Sequence, residues 1–220
     1  MLLSVSAGVA STAPADLHLI RGIEQAQLAR EEGIVSYTVQ EHYTLTNTRF
    51  NEAAEMRVAV MYVKGTGKTY HVLSRTGPSF LQTSVFDRVL KEEAAMSGGE
   101  IRLAALVTPS NYHMKFLGEQ VLEGRKCEIV ELQPLRKSPH LLRGKAWVDA
   151  ASHNLIRIEG KPTASMSFWA SSPYVVRDYM EVGEFSFARV SHATSHSFLL
   201  GQSELVVEYS DYQVKLAEKK

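Results

Sequence analysis

Cysteine is almost absent from this sequence, which contains Cys127 alone. One thiol cannot form an internal disulfide or build a thiolate metal cluster. Cysteine scarcity fits a reducing compartment and fits equally an exported protein that folds without disulfides. Because Cys127 lies within a predicted strand, we interpret it as a small buried hydrophobic residue rather than a nucleophile.

The sequence also has no excess of positively or negatively charged residues. The 220 residues include 24 Lys and Arg and 24 Asp and Glu, so the net charge is zero. Nucleic-acid binding needs a basic surface that displaces counterions from phosphate, so the composition argues against it. Hydrophobic residues make up 45% of the chain, enough for a core without disulfides or metals.

The sequence also lacks long runs of apolar residues. No run approaches the roughly 20 residues of a membrane-spanning helix, so we predict no transmembrane segment. Residues 2–10 form a shorter apolar run, followed by Ala13-Pro14-Ala15, a small-x-small form that signal peptidase accepts. We therefore predict that residues 1–15 are the remnant of a signal peptide and that the protein is exported. A disordered or helical start is the alternative, since no basic residue precedes the run.

Two segments show helical periodicity. Residues 16–32 carry an approximate apolar stripe, with Asp16 as a suitable N-cap and Gly33 as terminator. Residues 79–96 form the second predicted helix, which is amphipathic because charged residues cover the face opposite its apolar stripe. The stripe residues are Leu17, Ile20, Ile23 and Leu28 in the first helix, and Leu81, Val85, Val89 and Leu90, with Phe86 beside them, in the second.

The rest of the chain alternates apolar and polar residues with the period of two typical of half-buried strands. Residues 35–45 are the clearest example, with Glu41 as the exception on the apolar face. We predict an α+β, mainly β fold, an antiparallel sheet of about ten strands with helices on one face. Further strands are predicted near residues 56–62, 69–75, 112–121, 126–133, 141–149, 155–160, 174–182, 185–197 and 203–214.

Gly65-Thr66-Gly67-Lys68-Thr69 resembles the end of a phosphate-binding loop. The full signature needs an earlier glycine where Tyr62 stands, and it must open a helix, whereas strand alternation resumes here. We interpret the segment as a glycine-rich hairpin turn.

His192 and His196 are four residues apart, which on a helix would suit a zinc site. On the predicted strand they are about 13 Å apart, too far to share one ion. We predict no metal site, and no motif predicts a cofactor.

Residues 134–161 are locally basic in a neutral chain. The structural interpretation is the solvent face of a hairpin; the functional one is a rim that attracts an acidic partner or anionic lipid headgroups. The candidate partner-binding residues are Arg136, Lys137, Arg143 and Lys145.

The second half of the chain resembles the LolA/LolB/RseB superfamily of lipoprotein-sorting and periplasmic lipoprotein-binding proteins. The matching segments, in order, are residues 124–134 (GRKCEIVELQP), Trp147-Val148-Asp149, residues 155–159 (LIRIE) and Tyr209-Ser210-Asp211-Tyr212. The resemblance implies an incomplete β-barrel, a curled antiparallel sheet around an apolar cavity, with the helices as a lid. It assigns residues 16–215 to a single LolA-like domain and leaves residues 216–220 as a charged tail.

The resemblance also implies a non-catalytic periplasmic binder or carrier of lipoprotein acyl chains or lipid. The lid-gripping arginine of the best-known carrier matches no position here, and the lipobox cysteine of the lipid-anchored acceptor is absent. The alternative within the superfamily is an RseB-like regulatory module that binds a membrane-protein partner. A hydrolase using Cys127 or a histidine is the third hypothesis, and no group of residues supports it.

Candidate lipid-binding residues follow from the implied cavity; their alternative role is ordinary core packing. The sheet would contribute Tyr37, Val39, Tyr43, Val58, Val60 and Tyr62, the second helix Leu81, Val85, Phe86 and Val89, and the mouth Phe168 and Trp169.

Overall fold

The computed structural model describes residues 14–49, 53–165, 172–197 and 201–218. Ten antiparallel strands form one sheet in the order β3-β2-β1-β10-β9-β8-β7-β6-β5-β4, which is not closed into a barrel. The mainly β fold predicted from the sequence is therefore confirmed. The strands are β1 Ile34–Asn47, β2 Ala54–Val63, β3 Gly67–Thr76, β4 Tyr112–Leu122, β5 Arg125–Pro134, β6 Leu142–Asp149, β7 Leu155–Pro162, β8 Tyr174–Val182, β9 Phe185–Ser197 and β10 Gly201–Leu216.

The helices lie before β1 and between β3 and β4. Helix α1 (Pro14–Gly33) opens the described chain. The inserted helical segment comprises α2 (Ser79–Leu81), a π-helical turn (Gln82–Phe86), α3 (Asp87–Met96) and α4 (Gly99–Leu103). Among the described residues, no helix combines the length and the apolar character needed to span a bilayer.

Pairing of β1 with β10 joins the two ends of the chain within the sheet. β10 extends through Leu216, which pairs with Ile34, so regular pairing reaches one residue into the predicted charged tail. β3 and β4 are the two edges of the sheet. In a flat sheet they would lie about 43 Å apart, nine strand spacings. Because Lys68 on β3 and Tyr112 on β4 line the same cavity, the sheet must curl strongly around it.

Two core clusters lie on either side of this cavity. The first packs residues of β1, β2, β9 and β10 against the inserted helical segment, through Leu81, Phe86 and Val89. The second packs β4–β7 against α1, through Leu19 and Ile23. Each helix therefore covers a different part of the concave face.

The buried face of α1 differs from the one predicted. Leu17 and Leu28, assigned to the apolar stripe, are 46% and 41% exposed. Ile23 is buried as predicted, but the other buried residues are Leu19 and Gln27, which flank it at the i, i+4 spacing of a single face. A polar residue completes that face, so apolar periodicity located the helix but not its orientation.

The glycine-rich segment is a hairpin turn between β2 and β3, as predicted. It docks on the end of α3, where the Lys68 backbone N–H donates to Ser97 Oγ at 2.6 Å. A Cβ on Gly67 would lie 2.7 Å from that same oxygen, and φ there is +99°, so glycine is required. The next residue, Lys68, then points inward.

Candidate functional site

A cavity of about 330 Å³ lies between the concave face of the sheet and the helices. A cavity of about 150 Å³ accommodates benzene, so this volume accommodates roughly a dozen carbon atoms. Strands and helices from both core clusters contribute apolar side chains to its wall, including Val89, Met96, Leu142, Leu155, Ile158 and Val175.

Charged side chains also line the cavity, in balanced numbers. Four are cationic and four are anionic, so their formal charges cancel. They are Arg30, Lys68, Arg102 and Arg177, and Glu31, Glu41, Glu92 and Glu93.

Lys68 and two glutamates form the inner polar cluster. Lys68 Nζ lies 3.0 Å from Glu93 Oε2 and 3.6 Å from Glu41 Oε1. The Tyr43 hydroxyl donates to the other oxygen of Glu41, Oε2. The side chain of Glu41 is 1% exposed and that of Lys68 is 13% exposed, so both charges are held away from bulk water.

Mutual attraction keeps Lys68 and Glu93 ionised. The Lys68 ammonium lowers the pKa of Glu93 to about 2, against a smaller effect of burial. Burial disfavours the charged form of Lys68, but Glu93 and Glu41 outweigh it and raise the pKa of Lys68 well above its usual range. An amine held as ammonium is not a nucleophile, so the cluster lacks the neutral lysine that covalent catalysis needs.

Arg177 extends the polar surface from β8. Its Nε donates to Ser191 Oγ at 2.7 Å. Burial opposes the charged form, and Tyr209, Tyr179 and Glu93 more than offset it by raising the pKa of the guanidinium. Burial also raises the pKa of Tyr209 to about 12, so its hydroxyl keeps its proton.

A second ion-pair group lies where α1 meets α4. Arg102 binds the Glu31 carboxylate, and its guanidinium carbon lies 4.4 Å from the centre of the Tyr62 ring. Arg30 donates to the Ser186 carbonyl at 2.8 Å. The Arg102–Glu31 pair joins the inserted helical segment to α1 at the cavity wall, and the Arg30 contact joins α1 to β9.

The structure divides the predicted lipid-binding residues into three groups. Tyr37 and Val89 line the cavity. Val85 packs against the first core cluster, and Phe168 and Trp169 lie outside the described residues. The remaining members belong to the first core cluster, in which Leu81 and Phe86 of the inserted helical segment cover the strand residues Val39, Tyr43, Val58, Val60 and Tyr62.

The four predicted partner-binding residues do not lie on one surface of the fold. Arg136 Nη2 donates to the Ala104 carbonyl and to Asn111 Oδ1, so it holds the loop after α4. Lys137 is exposed. Arg143 and Lys145 are exposed on one face of β6. The structure therefore groups two of the four on one surface.

Sequence reasoning missed the inner polar cluster. Glu41 interrupts the apolar face of β1, and this interruption was a visible signal. Lys68 was read as a turn residue, although it begins the alternation that continues through Tyr70 and Val72. Glu93 and Arg177 lie on elements far apart in sequence, and no local pattern could pair them.

The other chemical motifs have structural roles. Cys127 is buried in β5, and burial raises the pKa of its thiol. His192 and His196 lie on β9, a strand as predicted. Within the described ranges, no three His, Cys, Asp or Glu side chains converge on a point that could hold a metal ion.

Sequence comparison matches the chain to no family model. It also finds no similar protein among curated sequences. Solved structures do match. One, provisionally described as an outer membrane lipoprotein-sorting protein domain from Vibrio parahaemolyticus, is 15% identical with a TM-score of 0.51, over 90% of this chain and 93% of that one.

Two further matches have lower TM-scores. A LolA superfamily protein from Nitrosomonas europaea is 12% identical with a TM-score of 0.48, and the match covers 94% of each chain. The MucA/MucB complex of Pseudomonas aeruginosa matches at 8% identity and a TM-score of 0.30, over 91% of this chain and 100% of that one. The fold resemblance rests on the Vibrio domain. The resemblance inferred from the sequence is thus confirmed as a likeness of fold to a lipoprotein-sorting domain.

Proposed function

We propose that this protein is a non-catalytic periplasmic binder or carrier of acyl chains, taken from lipidated protein or free lipid. The observation that carries the proposal is the cavity of about 330 Å³ with apolar walls on a fold shared with a lipoprotein-sorting domain. Each methylene moved from water into such a cavity contributes about 0.8 kcal/mol. A dozen carbons contribute on the order of 10 kcal/mol before ordering costs.

A longer chain needs more room than a cavity of about 330 Å³ provides. The apolar surface beneath the inserted helical segment is the natural extension, because it is continuous with the cavity wall at Tyr37 and Val89. Lifting the segment would expose the core residues predicted to bind lipid, among them Val58 and Val60 on β2. The π-helical turn Gln82–Phe86 is an irregular point in that segment, and such turns are frequent at functional sites. Return of the helix to this surface would release the ligand.

A fluorescent fatty acid tests the proposal directly. In Ala188→Phe, the new ring fills roughly a benzene volume, nearly half of the cavity. Affinity should fall at least about tenfold, because roughly six methylenes lose their site. Ala95→Phe adds the same group on an exposed face of α3 and should leave the affinity unchanged. Wild-type protein that binds no fatty acid and copurifies from periplasmic extract without acyl lipid would contradict the proposal.

A regulatory role is the second candidate, favoured by the outer face of β6. Arg143 pairs directly with Lys161 across the strands, and like charges placed opposite each other repel. An acidic segment of a membrane-protein partner would relieve that repulsion. Pull-down of such a partner, weakened by Arg143→Glu and not by Arg189→Glu on another strand, would support this function.

A further inference from the structure

One oxygen of Glu41 receives no hydrogen bond from the described residues, although Glu41 is 2% exposed and lines the cavity. Its Oε2 accepts from Tyr43, but Oε1 has only the Lys68 ammonium near it. That separation, 3.6 Å, is close enough for attraction between charges and too long for a hydrogen bond. Buried acceptors almost always have a donor, so an oxygen without one, on a residue of the cavity lining, requires an explanation that a donor group of a ligand would supply.

The charges around Glu41 limit what that group can be. Glu41 and Glu93 are balanced by Lys68 and Arg177, and the other four charges of the lining, on Arg30, Arg102, Glu31 and Glu92, also cancel. An ammonium or carboxylate headgroup would add an uncompensated charge beside Glu41 and Lys68, whose side chains are only 1% and 13% exposed, which is unfavourable. A neutral group that donates one hydrogen bond satisfies Oε1 and leaves the balance intact.

We propose that the inner polar cluster of Glu41, Lys68 and Glu93 recognises the headgroup of a neutral amphiphile through a hydroxyl or amide donor that binds Glu41 Oε1. The aliphatic chain of the ligand then lies along the apolar wall formed by Leu155, Ile158 and Val175. This inference rests on the proposed function and names its ligand class, a single aliphatic chain with an uncharged donor at one end.

Two isomers test the inference without any mutation. 1-Decanol and methyl nonyl ether have the same atoms and nearly the same apolar surface, but only the alcohol donates a hydrogen bond. Both match the roughly dozen heavy atoms that the cavity accommodates. Isothermal titration of the wild-type protein should show the alcohol binding about tenfold more tightly, the expected effect of one hydrogen bond to a charged acceptor.

The outcomes separate this inference from the proposed function. Equal affinity for the two isomers would mean that the ligand does not reach Glu41, and would overturn the inference while leaving acyl-chain binding intact. No binding of either isomer would overturn both. Tighter binding of decanoate or decylammonium than of decanol would contradict a neutral headgroup.

Variants then test whether Glu41 is the group that accepts the hydrogen bond from the ligand. Glu41→Leu should abolish the preference for decanol over the ether, and should strengthen decanoate binding because one cation is left in excess. Tyr70→Phe is the matched control, because the Tyr70 hydroxyl is also buried with no partner among the described residues but is not part of the cavity lining. A preference that survives Glu41→Leu in folded protein would overturn the assignment.

Discussion

Arg102 on α4 binds Glu31 on α1 through two hydrogen bonds, Nε to Oε2 at 2.5 Å and Nη2 to Oε1 at 2.9 Å. The two side chains are 15% and 11% exposed, and the Tyr62 ring lies against the guanidinium. The fork of an arginine matches a carboxylate in this bidentate arrangement, which fixes both partners. This pair therefore ties the inserted helical segment to the N-terminal helix.

The first prediction concerns that pair. Arg102→Gln removes two hydrogen bonds to the Glu31 carboxylate but leaves it paired with Arg30 at 2.9 Å, so the free energy of unfolding should fall by about 1.5–3 kcal/mol. The double variant Glu31→Gln with Arg102→Gln should lose less stability than the sum of the two single variants, as measured by urea denaturation. Arg189→Gln breaks an exposed pair with Glu123 and should cost less than about 1 kcal/mol. Additive losses in the double variant would contradict a coupled pair.

The second prediction contrasts two tyrosines whose hydroxyl groups are buried. Tyr43 donates to a buried carboxylate, so Tyr43→Phe should destabilise the protein by about 1.5–3 kcal/mol. Tyr70 has no hydrogen-bond partner within the described part of the chain, so Tyr70→Phe should be neutral or slightly stabilising. Thermal unfolding of both variants measures the difference. Equal losses of stability in the two variants would mean that the hydrogen bond from Tyr43 to Glu41 does not stabilise the protein.

The third prediction is a pH dependence of stability that arises from Glu93. Its pKa falls from 4.5 to about 2 on folding, chiefly through Lys68. A carboxylate with a lowered folded-state pKa contributes stability that is fully present above its unfolded value. This contribution is lost as the pH falls from 4.5 towards 2. Urea midpoints should therefore drop less steeply across this interval in Glu93→Gln than in wild type. Parallel curves for the two proteins would contradict this assignment.

The fourth prediction tests a close approach between β6 and β7. A Cβ on Gly144 would lie 1.9 Å from the Glu159 carbonyl oxygen, so the two strands would have to separate. Gly144→Ala should destabilise the protein by about 1–3 kcal/mol or more. Gly98→Ala is the control, because its Cβ would meet nothing nearer than 3.8 Å. Chemical denaturation of both variants checks the contrast.

Local periodicity sufficed for most of the secondary structure. Alternation over residues 35–45 located β1, and the amphipathic pattern of residues 79–96 located the inserted helix, because both signals repeat within a few residues. The predicted orientation of α1 was wrong at Leu28, which is exposed, because Gln27 lies on the buried face instead. Orientation depends on what the opposing strands provide, and those strands lie more than 70 residues away in the chain.

The polar interior of the cavity could not be read from the sequence in the same way. Glu41 signalled an anomaly on β1, but its partners Lys68 and Glu93 come from β3 and α3, and Arg177 from β8. These four meet because the sheet curls and a helix is inserted between its edge strands. A period-two pattern records which face a residue occupies; it carries no information about which distant side chain will stand across from it. Composition and periodicity were therefore enough for a half-buried sheet with two helices, whereas the pairing of charges inside it follows from long-range packing.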